Sequence, residues 1–374
     1  MGTVELLCDL VVEGHLTARA GVTVEGNGHQ ILVSGTVDFQ GTPVAPWSST
    51  APTAPRDLVI DNVRRVMFHN GAGPSILKWL AVTNSGTSTL GDYPLHWHLN
   101  GNSTRGTIVE GVLVENGANH AFVPHGSNGI TFRHTEARNI TGSAYWWDDP
   151  GTNQTCSFQK FCTLDNSNDI TYDHALAVGV TGGFRNAGFK LGAGSGNVIK
   201  DSLTADIRGN VDCAGYVWPE SANQNIGGNV WVFENNRSIP NSDPDCHGIF
   251  VWQNDSNLHI IDGFTGDGID HGAYLNNYEY RNVDVPYTEI HALSWEMRDS
   301  HAGHLVALKH TLSGGPVVFR NVTVDSFTIR DANDGGRIAG RYEFYDTNLT
   351  CSQINWANPV SGSRVFIDGS ECDR

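Results

Sequence analysis

The stretch Tyr93-Pro94-Leu95-His96-Trp97-His98-Leu99 sets the frame for the whole chain. Its strict alternation puts Leu95, Trp97 and Leu99 on one face of a strand and His96 and His98 on the other. Two imidazoles two residues apart on one strand face can hold a ligand between them, and a chance of composition gives the same pair. The rest of the chain has to separate these readings.

Outward from that stretch, short β-branched and aromatic runs are broken by Gly, Asn, Asp and Ser, which predicts many short strands and tight turns. Gly is abundant, at 43 of 374 residues, and helix-forming windows are nearly absent. No apolar run reaches the roughly 18–20 residues that a membrane span requires. The start at Met1-Gly2-Thr3 carries no leader pattern and reads as a mature or trimmed chain. A net charge of −17 without any basic stripe argues against a nucleic-acid partner. It also opposes a polyanionic substrate unless a bound cation or a local cluster offsets the repulsion.

One small residue followed by an alternating apolar strand recurs along the sequence. The instances are Ala121-Phe-Val-Pro-His125, Ala144-Tyr-Trp-Trp-Asp148, Gly188-Phe-Lys-Leu-Gly192, Gly215-Tyr-Val-Trp-Pro219, Gly248-Ile-Phe-Val-Trp252, Gly272-Ala-Tyr-Leu-Asn276 and Ala292-Leu-Ser-Trp-Glu296. Second strands of the type Thr107–Val114, Ile130–Phe132 and Ile170–Tyr172 lie between them. Repeats that bury an apolar face only by stacking on their neighbours are the signature of a solenoid, here an all-β parallel β-helix. A sandwich or propeller would need hairpin turns or blade motifs that the links do not contain. Residues 1–56 read as an N-terminal cap or start of the solenoid ending in a Pro-rich loop, and residues 57–374 as the β-helix with closing strands, one continuous domain. Residues 150–168 interrupt the repeat and read as a disulfide-closed insertion.

Placing the repeats in register decides which side chains share a face. The first and third positions are apolar throughout and point inward, so the second and fourth point outward. The opening stretch joins this frame with Leu95 and Trp97 inward and His96 and His98 outward. The fourth-position column then reads His98, His125, Asp148 in successive coils, with His96 beside it. Three imidazoles and a carboxylate suit zinc or another first-row divalent metal, with calcium as an alternative, and two His plus a carboxylate also suit non-haem iron. A solvated polar ladder would give the same spacing. Asp149 and Lys190 stand nearby as charged groups with a catalytic role or none. A further column, His120, His247, His271 and His291, reads as a stacked turn ladder, with a second cation site as the alternative. Trp146, Phe250, Trp252 and Tyr274 read as outward aromatics, which either stack on sugar rings or pack under loops.

The seven cysteines contain no Cys-x-x-Cys pair. Cys156–Cys162 and Cys351–Cys372 are close enough in sequence to pair, and Cys213–Cys246 occupy the same position in adjacent coils, which leaves Cys8 over. Disulfides together with seven Asn-x-Ser/Thr sequons (Asn102, Asn139, Asn153, Asn236, Asn254, Asn321 and Asn348) favour a secreted glycoprotein.

The run YPLHWHLNGN through VEGVLVENGANHAFVPHGSNGITFRHTEARNITGSAYWWDD resembles the core of the cell-migration-inducing hyaluronan-binding protein and transmembrane hyaluronidase family. The likeness lies in a Tyr-Pro-x-His-x-His segment, a His-Gly-Ser-x-Gly segment and an aromatic pair closed by acids, and it covers about residues 60–200. The resemblance implies a right-handed parallel β-helix, a secreted or ectodomain location, and cation-dependent hyaluronan binding or depolymerisation. Its matching positions here are His96, His98, His125, Asp148 and Asp149. This chain departs from the family in reading Trp146-Trp147-Asp148-Asp149-Pro150 where the family has Phe-Phe or Phe-Trp followed by Glu-Asp-Gly.

The expected function is therefore a secreted, monomeric, metal-dependent enzyme that degrades hyaluronan or a related uronate-containing polysaccharide. The cation would be held by His96, His98, His125 and Asp148, with Asp148, Asp149 and Lys190 in the chemistry. Trp146, Lys190, Trp252 and Tyr274 would bind substrate. The competing expectations are a glycan-binding module with a structural cation and a non-haem metal redox enzyme. Hydrolase and lyase chemistry are both compatible with these residues.

Overall fold

Alternating apolar residues interrupted every few positions by Asn, Gly or Asp give short strands joined by sharp corners. The computed structural model describes residues 2–48, 53–146, 167–182, 186–190, 195–209, 213–217, 232–239, 246–251, 260–266, 273–275, 279–291, 293–308, 315–332 and 338–374. Among these residues the strands form three sheets of ten, fourteen and fifteen strands. Successive strands of the chain go to successive sheets: Leu80–Thr83, Leu95–Gly101 and Thr107–Glu110 make one coil, and Leu113–Glu115, Phe122–Ser127 and Ile130–Arg133 the next. Pairing is parallel except at the end, where Arg364–Ile367 meets Ser370–Glu371 antiparallel. The chain is a parallel β-helix.

Coils have three strands where the sequence pattern suggested two. The run Thr107–Val114 is split at Gly111, which turns the corner with φ 62°. Only glycine fits there, because a Cβ would lie 2.1 Å from the Trp79 ring of the preceding coil. A second corner is turned by Asn62, Asn84, Asn116 and Asn139, all left-handed and stacked coil on coil. Asn and Asp tolerate this conformation best among side-chain-bearing residues. Their amides run as a ladder, Asn116 donating to Asn84 at 3.2 Å and Asn139 to Asn116 at 3.3 Å.

Inside, apolar columns fill one continuous core. In the fourteen-stranded sheet two inward columns stack ring on ring, one with Phe68–Trp97 at 5.0 Å and the other with Phe122–Tyr145 at 5.0 Å, Tyr145–Phe189 at 4.4 Å and Phe189–Tyr216 at 5.0 Å. Offset aromatic stacks of this kind add to the stabilisation from burial.

The three sheets begin at the N-terminus. Gly2–Glu5 pairs with Val22–Glu25, which pairs in turn with Leu58–Asp61. The Pro-rich segment after Gln40 is fastened along the coils. The Trp47 indole donates to the His174 carbonyl at 2.6 Å, and Arg56 is fully buried against Glu136 at 2.8 Å. Arg56 also donates to the Gly111 carbonyl, and Thr53 to Glu136.

The inward register holds from Leu95 through Phe122, Tyr145, Phe189, Tyr216 and Ile249, and the pairing continues to Ala273 before it departs from expectation. The next strand of this sheet is Tyr287–Ile290, not the Ala292–Glu296 segment. Trp295 instead starts Trp295–His301 in the fifteen-stranded sheet. The coil from Ala273 to Thr288 is only 15 residues, shorter than the other repeats, so apolar alternation alone picked the wrong strand.

Two expected disulfides are formed, Cys213–Cys246 and Cys351–Cys372, and Cys8 is free and exposed. Cys156, Cys162 and the expected insertion up to residue 166 lie outside the described residues. Among the sequons, Asn236 is buried, its amide donating to the Ile199 carbonyl and accepting from the Ser202 N–H, so the folded chain offers no glycan site there.

Candidate metal centre

The register that aligns Leu95 with Phe122 and Trp97 with Pro124 also sets His96 against Val123 and His98 against His125. The three imidazoles converge. One ring nitrogen from each of His96, His98 and His125 lies within 4.8 Å of the others. The His98 ring stands 4.9 Å from His96 and 5.1 Å from His125, both edge-on, while His96 and His125 are parallel at 6.0 Å.

The expectation of an exposed outward face needs correcting for the second-position column. His96 is only 2% exposed, and Val123, Trp146, Val217 and Phe250 below it are also buried. Part of the cover is the loop leading into the strand. Tyr93 packs on His96 at 4.8 Å, on His120 at 5.3 Å and on Trp146 at 5.8 Å. Asp92 ties that loop to the preceding coil through Arg65 at 3.3 Å and Arg64 at 3.6 Å.

Burial and the neighbouring His98 and His125 hold the His96 pKa well below the usual histidine value. His96 is therefore neutral. Its Nδ1–H donates to the Gly91 carbonyl at 3.2 Å, which leaves the lone pair on Nε2. That Nε2 is buried and has no hydrogen-bond partner among the described residues. A neutral ring oriented by a backbone carbonyl, with its other nitrogen bare, is how histidine is prepared for a metal. The donor set fits a first-row divalent cation.

The strand distorts just beyond the triad. Leu99 is left-handed at φ 52°, and the pairing shifts between His98 and Gly101. This bulge turns Asn100 inward, where it donates to the Phe68 carbonyl and accepts from the N–H groups of Gly71 and Ala72. Strain of this kind, held by a full set of hydrogen bonds, tends to collect at functional sites.

Other expected residues fall differently. Lys190 sits beside Trp146 in the sheet, three strands from His96, about 14 Å away along the sheet. It is not brought to the triad, though its charge helps lower the pKa of His120. Trp146 is 6% exposed and wedged against His120 at 4.1 Å, so its indole forms a wall rather than an open platform. Phe250 is fully buried in a small apolar cluster. Asp148, Asp149 and Trp252 lie outside the described residues, as does the side chain of Tyr274.

The expected histidine ladder is not continuous. His120 accepts from the Ser143 N–H at 2.7 Å, and His291 follows Ile290 and pairs with Glu289 at 2.8 Å, out of line with His247. His271 lies outside the described residues. A second group, Asp173, His174 and Asp201, escapes the sequence pattern because His174 and Asp201 sit at a left-handed corner outside the alternating frame, beside Asp173 at the strand end. Arg133 at 3.4 Å and Lys200 at 3.5 Å already neutralise Asp173.

Residues 64–171, which contain all three converging histidines, match the family model described as CEMIP beta-helix. No curated protein matches the chain. Among solved structures the chain is similar to a GH136 lacto-N-biosidase from Eubacterium ramulus, at 9% identity and a TM-score of 0.32, over 90% of this chain and 62% of that one. It is similar also to a mutant of a periplasmic alginate epimerase, at 11% identity and a TM-score of 0.25, over 94% of this chain and 77% of that one. The chain thus spans less than two thirds of the length of the lacto-N-biosidase.

Proposed function

We propose that the chain is a metal-dependent enzyme that degrades hyaluronan or a related uronate-containing polysaccharide outside the cytoplasm. The observation that carries this reading is the convergence of His96, His98 and His125 with the bare, buried Nε2 of a neutral His96. The family match over residues 64–171 and the motif resemblance supply the glycan class. Nitrogen donors favour zinc or a neighbouring first-row metal over calcium, which prefers oxygen. When bound, such a cation supplies Lewis acidity for a sugar oxygen or carboxylate, or a more acidic water.

The residues divide the remaining work. His96, His98 and His125 hold the cation, and the Gly91 carbonyl keeps His96 in the right tautomer. Tyr93 and its loop close one side to water. Asp148, which the sequence pattern puts after His125 in the outward column, is proposed as a fourth ligand and Asp149 as the acid–base group. Lys190 offsets substrate charge further along the sheet, and the cation itself lessens repulsion between a chain of net charge −17 and an acidic glycan. The Cys213–Cys246 and Cys351–Cys372 bonds support an oxidising compartment.

The test is incubation with hyaluronan, chondroitin and alginate, with and without a chelator. Chelator-sensitive release of ultraviolet-absorbing unsaturated ends identifies a lyase, and new reducing ends alone identify a hydrolase. Glycan binding without any product would replace the enzyme with a binding module whose cation is structural.

A further inference from the structure

The register extends one coil towards the N-terminus. Val66 pairs with Leu95, Met67 with His96 and Phe68 with Trp97; His69 follows the strand end, its N–H still bonded to the Val33 carbonyl of the coil before, and the same pairing carried one residue further sets it beside His98. The outward column is therefore His69, His98, His125. Adjacent positions in such a column are about 4.8 Å apart.

Two observations mark His69 as more than a turn residue. Its Nε2 is shielded from solvent and has no hydrogen-bond partner among the described residues, the same condition as His96 Nε2. A buried polar atom left bare is destabilising and calls for a ligand, an ion or a catalytic role. Its position is also fixed to the triad. The turn after His69 is held by Asn100, two residues beyond His98, through the N–H groups of Gly71 at 3.1 Å and Ala72 at 3.0 Å. Asn100 also donates to the carbonyl of Phe68, the residue before His69, at 2.9 Å.

His69 is not one of the three rings that converge within 4.8 Å. With its ring nitrogens outside that convergence, His69 reaches a ligand of the cation rather than the cation itself. We infer that His69 is a positioning residue on the N-terminal flank of this site, donating from Nε2 to the oxygen that a uronate carboxylate places on the cation. This inference rests on the reading of the triad as a metal centre.

The test uses the full chain loaded with Co(II), whose visible absorption reports both loading and changes at the metal. Wild type and the variants His69→Ala and His69→Gln are titrated with Co(II) and then with glucuronate. The expected result is equal Co(II) affinity and stoichiometry in all three. Glucuronate binding weakens about tenfold or more in His69→Ala and is partly restored in His69→Gln, whose amide donates from a similar place. Equal Co(II) binding in the variants shows that the site still folds. Glucuronate binding in His69→Ala equal to wild type overturns the inference and leaves the metal centre standing. Loss of Co(II) from His69→Ala also overturns it, in favour of direct ligation. Failure of wild type to bind Co(II) removes both readings.

Discussion

The Nδ1–H of His96 donates to the carbonyl of Gly91 at 3.2 Å, and the same carbonyl faces the Arg65 guanidinium at 3.4 Å. Through that bond the loop before the strand decides which nitrogen of His96 is free to bind a metal. Arg65 in turn pairs with Asp92, the neighbour of Gly91.

Loosening this loop should therefore weaken cation binding without touching a ligand. Asp92→Ala is expected to lower cation affinity about tenfold or more, the usual effect of losing an outer partner of a ligating histidine. A competition titration with a chromophoric chelator measures it. Wild-type affinity in Asp92→Ala would mean that His96 holds its tautomer without the loop.

His120 makes the metal-free protein sensitive to acid. Burial, with Lys190 adding to it, lowers its pKa from 6.5 to about 3. Below pH 6.5 the unfolded chain gains a proton here that the folded chain does not, so stability falls as pH drops towards 3; above 6.5 the group contributes no slope. The loss is up to about 1.4 kcal/mol per pH unit. His120→Gln, which can still accept from the Ser143 N–H, should flatten the fall in melting temperature of apoprotein between pH 6.5 and 4. An unchanged slope would place the acid sensitivity elsewhere.

The Arg56–Glu136 pair should behave as a buried ion pair. Both side chains are essentially without solvent contact, at 0% and 1% exposure. Arg56→Ala leaves the buried Glu136 carboxylate with Arg138 at 3.1 Å as its remaining cation and should cost up to about 3 kcal/mol, whereas the double change Arg56→Met with Glu136→Leu should recover part of it. Denaturant unfolding of the two variants gives the comparison. Equal destabilisation would show that packing of the Pro-rich segment, rather than charge, sets the energy.

Cys213 and Cys246 join neighbouring strands of the sheet that carries the histidines, 33 residues apart. The pair Cys213→Ser with Cys246→Ser should lower stability by about 3–4 kcal/mol, from the entropy the open loop regains in the unfolded chain. Cys8→Ser should leave the melting temperature unchanged, since Cys8 is exposed and unbonded.

Much of this architecture was legible because β-helix coils repeat the same inward and outward positions. Leu95 and Trp97 predicted the facing of Phe122 and Pro124, and that frame delivered His96, His98 and His125 to one place. The frame failed where a coil was shorter than its neighbours, so Trp295 was assigned to the wrong sheet. It also says nothing about loops that return over the outer face. That is why His96 and Trp146 look exposed in the pattern and are buried in the fold. His69 was within reach, since Val66 and Phe68 continue the same alternation backwards from Leu95. The corner cluster of Asp173, His174 and Asp201 was not, because left-handed corner residues follow coil geometry rather than alternation.

His96, His98 and His125 are proposed to hold a divalent cation on which activity depends. Elemental analysis of purified wild type and His98→Ala, beside glycan cleavage by both, tests it most directly. About one first-row transition metal per chain is expected in wild type, lost together with activity in His98→Ala. Full metal content and full cleavage in His98→Ala would contradict it.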